Sequence, residues 1–186
     1  MDLLNTSGSG TTTTVRLANS SKKYLTTAET LGDKTQFGVK AGTYYIAIKS
    51  DAALYQIKPT FTTVTESKTG TTRSKAVALK KGGVKKGVIT ASQGNNTGDW
   101  YKFTIKKSQK VYLDVTSRLS KGQFRISVYK SGTSTVYGRG TFDKTLQSGS
   151  VMPYKNKYTK KLPAGTYYIK VEKRNGGNGY YKLKWS

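Results

Sequence analysis

The chain has 186 residues, no cysteine and no histidine, and 33 Lys plus Arg against 9 Asp plus Glu, a formal net charge of +24. Those absences exclude disulfides, thiolate chemistry, Ser-His-Asp and Cys-His arrangements, and His-ligated zinc or iron. The charge attracts polyanions of every kind, and because only six of the cations are arginine it favours diffuse attraction over bidentate readout.

Tyr, Thr, Val and Ile recur in short runs broken by Gly, Ser and Asn, and no long window repeats apolar residues at helical spacing. The pattern predicts strands with almost no helix. No apolar run is long enough to span a membrane. Residues 1–14, ending in Ser-Gly-Ser-Gly and four threonines, are expected to be a linker or a frayed lead-in without core-forming residues. Val15 to Leu17 begins a short strand, and the polar stretch from Tyr24 to Phe37 is a hairpin or an irregular crossing. Ala41-Gly42-Thr43-Tyr44-Tyr45-Ile46 then opens a strand with Tyr44, Ile46 and Ile48 inward. A turn at Ser50 to Ala52 leads into a further strand with Tyr55 and Ile57 inward. This first segment offers about four strands, fewer than the roughly seven of a two-sheet sandwich.

The Thr/Ser/Lys-rich stretch around 65–75 reads as a boundary. Beyond it come Ala76 to Leu79, Gly87 to Ile89, and a strand with Tyr101, Phe103 and Ile105 on one face. Val111, Leu113 and Val115 follow, then Phe124, Ile126 and Val128. Residues 130–153 are Gly-, Ser- and Thr-rich and are expected to be conformationally variable. Ala164-Gly165-Thr166-Tyr167-Tyr168-Ile169 repeats the earlier hexapeptide 123 residues on (164 against 41). Such a repeat means two copies of one folding unit. Asn175 to Gly179 reads as a hairpin connection, since its residues accept positive φ; Tyr181, Leu183 and Trp185 then face inward. The reading is an all-β chain: a jelly-roll-like antiparallel β-sandwich at 76–186, a linker at 65–75, and a first, incomplete unit at 1–64.

Asp99 to Phe103, Lys110 to Val115, Leu162 to Val171 and Gly179 to Leu183, preceded by Ala76 to Leu79 and Gly87 to Ile89, resemble the successive motifs of the bacterial pre-peptidase C-terminal domain family. The resemblance covers 76–186 in full and 15–61 as an N-terminally truncated copy. It implies a small β-sandwich in secreted, multidomain bacterial proteins, accompanying peptidases and other enzymes without being their catalytic part. Relatives in clostridial collagenases bind collagen and hold calcium near the domain's N-terminus. Between residues 65 and 99 the only carboxylates here are Glu66 and Asp99, too few for such a site, so neither calcium nor collagen is carried over.

No catalytic, metal or cofactor residues are assigned. Asp99 and Asp114 lie on adjacent predicted strands, but the simpler reading has Asp99 organising the turn before its strand and Asp114 outward among lysines. A Ser-Lys dyad is singled out by no spacing. The Gly-rich loop at 175–179 leads into a strand rather than the helix that phosphate cradling requires. Tyr45, Tyr168 and Tyr180 fall on outward faces beside Lys170, Lys182 and Lys184, and Trp100 opposes the face of Tyr101; these seven are the candidate binding residues, as stacking rings beside cations. Against that stands the plain strand propensity of surface tyrosines.

The expected function is a non-catalytic accessory module of a secreted or wall-associated protein, with a Gram-positive surface in keeping with the composition. It would attach or space neighbouring domains through anionic wall polymer or polysaccharide. The first four residues lack the features of a signal peptide, so the chain is expected to be part of a longer exported protein. Two alternatives are a nucleic-acid-binding β protein, weakened by the dispersion of the lysines, and the accessory part of a secreted peptidase whose catalytic domain lies elsewhere.

Overall fold

The structure is a computed structural model that describes residues 1–5, 12–31, 35–51, 57–119, 121–143 and 147–186. The described residues form fifteen strands and no helix. Six lie in the first segment: β1 (Asp2–Asn5), β2 (Thr13–Ala18), β3 (Glu29–Thr30), β4 (Thr35–Gln36), β5 (Tyr45–Ser50) and β6 (Ile57–Thr60). They make two three-stranded sheets, β4-β1-β6 and β3-β2-β5. The other nine are β7 (Val77–Ala78), β8 (Val84–Ile89), β9 (Gly98–Ile105), β10 (Leu113–Leu119), β11 (Gln123–Lys130), β12 (Val136–Phe142), β13 (Gln147–Val151), β14 (Gly165–Arg174) and β15 (Gly179–Trp185). They form a five-stranded sheet, β12-β11-β14-β9-β7, and a four-stranded sheet, β13-β10-β15-β8.

The larger pair of sheets follows directly from period-2 patterning. On β14, Tyr167, Ile169 and Val171 are fully buried and register with Phe103, Tyr101 and Asp99 of β9. On the facing sheet Tyr181 and Leu183 are equally buried, with Trp185 beside them. Aromatic rings lock the two layers: Phe103, 5.5 Å from Tyr167 of its own sheet, lies 4.9 Å from Trp185 of the facing one, and Phe124 meets Tyr181 edge-on at 6.4 Å. Offset and edge-on pairs of this kind add roughly 0.5–1.5 kcal/mol each beyond their buried area.

Three expectations are corrected here. Residues 1–14 are not a bare lead-in, because β1 is the central strand of a sheet and Thr13 is buried. Residues 130–153 hold two regular strands, β12 and β13, at the edges of the two larger sheets. Their glycines serve close packing: a Cβ on Gly138 would stand 2.8 Å from the Cα of Pro153, and one on Gly140 2.6 Å from a methyl of Val151. The loop at 175–178 does have positive φ at Asn175 (49°) and Gly176 (76°), but it is no hairpin. It crosses between layers, since β14 pairs with β11 and β9 whereas β15 pairs with β10 and β8.

The first segment has more strands than expected, and a core of its own. Val15, Leu17, Leu31 and Phe37 are buried together, with Tyr44, Ile46, Ile48 and Ile57 packed against them; Tyr55 lies outside the described residues. One member of that cluster comes from the far side of the chain: Ala91, in the loop after β8. Ala91 N donates to Gly38 O at 2.8 Å, and Gly38 N donates to the Asn178 side-chain oxygen at 2.9 Å. A Cβ on Gly38 would meet the Ile89 carbonyl at 2.5 Å, so only glycine permits this approach.

Candidate functional site

The outer face of the five-stranded sheet carries an uninterrupted row of rings and cations. Strand alternation sends Trp100 and Lys102 of β9, Tyr168, Lys170 and Glu172 of β14, and Arg125, Ser127 and Tyr129 of β11 to this side. Register then sets Trp100 beside Lys170, and Tyr168 between Lys102 and Tyr129. The Trp100 ring approaches the Tyr129 ring at 5.8 Å, and Lys170 Nζ stands 5.6 Å from the Trp100 centroid.

Arg73 completes the row from the segment before β7. Its guanidinium carbon lies 4.7 Å from the Tyr168 centroid and 5.8 Å from that of Tyr129. Its two terminal nitrogens donate to the carbonyls of Thr133 (2.8 Å) and Lys130 (2.5 Å). Two of five N–H donors are thereby used and three remain. The cation is held rigid, with its side-chain entropy already lost before any ligand arrives. Beside it opens a depression of about 510 Å³ lined by Thr72, Arg73, Ser74, Ser131, Gly132 and Tyr168.

The segment bearing Arg73 is itself pinned. Gly70 and Trp100 exchange two backbone hydrogen bonds, Ser67 N donates to Lys86 O at 2.9 Å, and Val88 N donates to Glu66 Oε2 at 3.0 Å. At the other end of the row Glu172, 1% exposed, receives both Arg125 and Lys170. Lys170 also donates to Asn96 O at 2.6 Å. A buried carboxylate with two cationic partners fixes the direction of both. Between these groups Ser127 is completely buried and its hydroxyl has no hydrogen-bond partner.

The seven residues singled out from the sequence fall on three separate surfaces. Trp100, Tyr168 and Lys170 belong to the row just described, although the face of Tyr168 is capped by Arg73. Tyr180, Lys182 and Lys184 lie on the outer face of the four-stranded sheet, across the sandwich. There Tyr180 is half-buried and burial pushes its hydroxyl pKa up. Tyr45, 46% exposed, is on β5 in the first segment. Near it Arg16 stacks on Tyr24 at 5.0 Å, both bordering a groove of about 470 Å³ with Lys49 and Asp51. Sequence reasoning missed Arg73 and Tyr129. The available signal was that arginine is scarce in this chain, and a rigid fork is what a two-carbonyl anchor requires.

Asp99 is placed differently from expectation. Its side chain points inward, 7% exposed, and accepts from the Tyr181 hydroxyl at 2.5 Å. Tyr181 is 2.6 Å from the Tyr101 hydroxyl in turn. Burial raises the Asp99 pKa above 3.8 and pushes Tyr101 up to about 12. Asp114 does face outward, and it accepts from Ser150 (2.7 Å) and Ser186 (3.1 Å). One carboxylate therefore serves the interior of the sandwich and the other its outer face. Among the described residues no group of three or more acidic side chains is arranged to hold a metal ion.

No family model matches the chain, and no curated protein matches it. Among solved structures, the pre-peptidase C-terminal domain of a collagenase from Bacillus anthracis is similar over 60% of this chain and 94% of its own length, at 18% identity and a TM-score of 0.46. A carbohydrate-binding module of lichenase 5A from Cellvibrio mixtus, in complex with cellotriose, is similar over 57% of this chain and 86% of its own length, at 17% identity and a TM-score of 0.31. The first of these belongs to the family that the sequence resembles.

Proposed function

We propose that this chain is a non-catalytic binding module that holds a polysaccharide bearing acidic groups against the outer face of the five-stranded sheet. The observation that carries the reading is the row Lys170, Trp100, Tyr129, Arg73 and Tyr168. Trp100 offers part of an apolar ring to the C–H face of a sugar. Arg73 presents three spare donors at the rim of a hydroxyl-lined depression, suited to a carboxylate on that sugar. The face has no nucleophile paired with a base, so its chemistry is recognition. In this reading the module serves a secreted or surface-attached protein, anchoring or spacing the domains joined to it.

The two tryptophans make the test direct. Trp185 is in the core at 6% exposure, so a ligand-induced change in fluorescence reports Trp100. Titration with polygalacturonate is expected to shift that emission. Trp100→Ala and Arg73→Ala should each weaken retention in affinity gels by about tenfold, a loss of about 1.4 kcal/mol. Unchanged emission together with unchanged retention in both variants would remove this surface from the argument.

A further inference from the structure

The outer face of the three-stranded sheet β3-β2-β5 repeats the placement of the aromatic row. The identical hexapeptides at 41–46 and 164–169 set β5 and β14 in one register against an antiparallel neighbour. Tyr45, Ile46 and Ala47 stand opposite Ala18, Leu17 and Arg16, just as Tyr168, Ile169 and Lys170 stand opposite Lys102, Tyr101 and Trp100. At the matched positions of this outer face Arg16 takes the place of Trp100, and Lys49 that of Glu172. The second ring comes from outside the match: Tyr24 pairs with Ala18 from the side opposite Tyr45. Ala18 shares the outward parity of Arg16 and is only 3% exposed, whereas the rings of Tyr24 and Tyr45 on its two sides are 53% and 46% exposed. The Arg16 guanidinium lies 5.0 Å from the Tyr24 centroid, the same arginine-on-tyrosine stack that Arg73 and Tyr168 make at 4.7 Å.

We propose that this face is a second polysaccharide platform, on which an extended uronic-acid oligosaccharide crosses Tyr24 and Tyr45 with a carboxylate at Arg16. The class of ligand rests on the reading above, whereas the place of the site does not. The α-carbons of Tyr24 and Tyr45 are about 10 Å apart across the sheet, wider than one sugar ring, so the occupant is a chain. Arg16, resting on a ring, keeps a planar fork of donors for a carboxylate. From Arg16 and Tyr24 the groove of about 470 Å³ runs past Thr14 to Lys49 and Asp51. Lys22 and Lys23 are exposed in the turn before Tyr24, and Lys121 Nζ reaches the groove wall, donating to Ala28 O at 2.6 Å. Among the described residues Asp51 is the one carboxylate on this face, since Glu29 shares the inward parity of Val15 and is buried. Asp51 is four residues beyond Ala47, the partner of Arg16, or about 13 Å along the strand, so an acidic sugar is directed to the Arg16 end. Grooves that track single-stranded nucleic acid are positively charged along the backbone; an acid within this one makes a sugar chain the better fit.

The test titrates the whole chain with tetragalacturonate by calorimetry while the Trp100 emission is recorded. Two molecules should bind per chain. Tyr24→Ala/Tyr45→Ala should leave one, with the Trp100 shift intact, and Trp100→Ala should also leave one. Tyr24→Phe/Tyr45→Phe keeps both rings and should hold affinity within about twofold. Arg16→Gln changes one exposed side chain and should weaken the second site by about tenfold, which keeps the test decisive if loss of both rings unfolds the first segment. Tyr158→Ala removes a tyrosine that is 83% exposed beside Lys157 and should change nothing. One molecule per chain with a responsive Trp100 would overturn this inference alone. So would unchanged binding in both Tyr24→Ala/Tyr45→Ala and Arg16→Gln, or an equal loss in Tyr158→Ala. A silent Trp100 with all binding lost in Tyr24→Ala/Tyr45→Ala would overturn the first site and keep this one. Neither heat nor a change in emission would overturn both. Tighter binding of tetrathymidylate that depends on Tyr24 and Tyr45 would assign the face to nucleic acid and overturn the proposal as well.

Discussion

Asp99 and Tyr181 illustrate how a single buried pair couples stability to pH. The carboxylate is removed from water, so its charged form is disfavoured and its pKa is raised, while the Tyr181 hydroxyl partly offsets this. A carboxyl whose folded pKa exceeds its unfolded value stabilises the fold fully below the unfolded value, here 3.8. That stability is lost as pH rises through the folded pKa. We therefore expect chemical-denaturation stability to step downward above pH 3.8. Asp99→Asn should remove the step, because the amide oxygen still accepts from Tyr181 without ionising. Asp99→Ala should instead cost about 1–3 kcal/mol at all pH values, by stranding a buried hydroxyl. A step that persists in Asp99→Asn would assign it to another group. Sequence gives Asp99 the parity of Tyr101 but also sets it next to a Gly and a loop, where an aspartate ordinarily caps a turn; that β9 begins at Gly98 and carries Asp99 inward to Tyr181 is visible only in the structure.

At the scale of elements, the edges of the sandwich depend on residues too small to announce a strand. Gly138 lies on β12 with its α-carbon against Pro153. Gly138→Ala is expected to lower stability by about 1–3 kcal/mol, since the obstructing atoms are the backbone and ring of Pro153 and cannot swing away. Gly94→Ala, whose Cβ would meet only a Thr97 methyl at 3.8 Å, should change the thermal midpoint little. Equal effects at the two positions would show that β12 is not packed as described. The same contrast explains what could be read from the chain. Strands β9, β10, β11, β14 and β15 put a large apolar residue at alternate positions, so period and burial coincide. Strands β12 and β13 put Gly, Ser and Thr there, and their regularity comes from neighbours rather than from their own residues. The crossing at 175–178 was misjudged for a related reason. Positive φ at Asn175 and Gly176 marks a sharp reversal, and a reversal within one sheet uses the same local chemistry as one between two.

For the whole molecule, the stretch 65–75 is where composition and contacts diverge most. It reads as a spacer, yet it lies along the edge of β8 and carries Arg73 onto the aromatic row. We expect a piece spanning 76–186 to fold cooperatively on the core of its nine strands. A piece spanning 65–186 should be more stable by about 1–3 kcal/mol, reflecting the restored Arg73 anchor and backbone bonds. Equal thermal midpoints for the two pieces would return 65–75 to the role of a spacer. The first segment should not fold alone. Its apolar cluster is small, and one of its members, Ala91, is supplied from outside 1–64.

The contact between Gly38 and Asn178 has a consequence for the order of events in folding. The two residues are separated by 140 positions, and Asn178 is fixed only when the chain has crossed from β14 to β15. Closing so long a loop carries an entropy cost that must be met before any docking contact returns free energy. Residues 1–64 are thus expected to settle after the strands that follow them in the chain, with Val15, Leu17 and Phe37 incompletely covered until β14 and β15 are both in place.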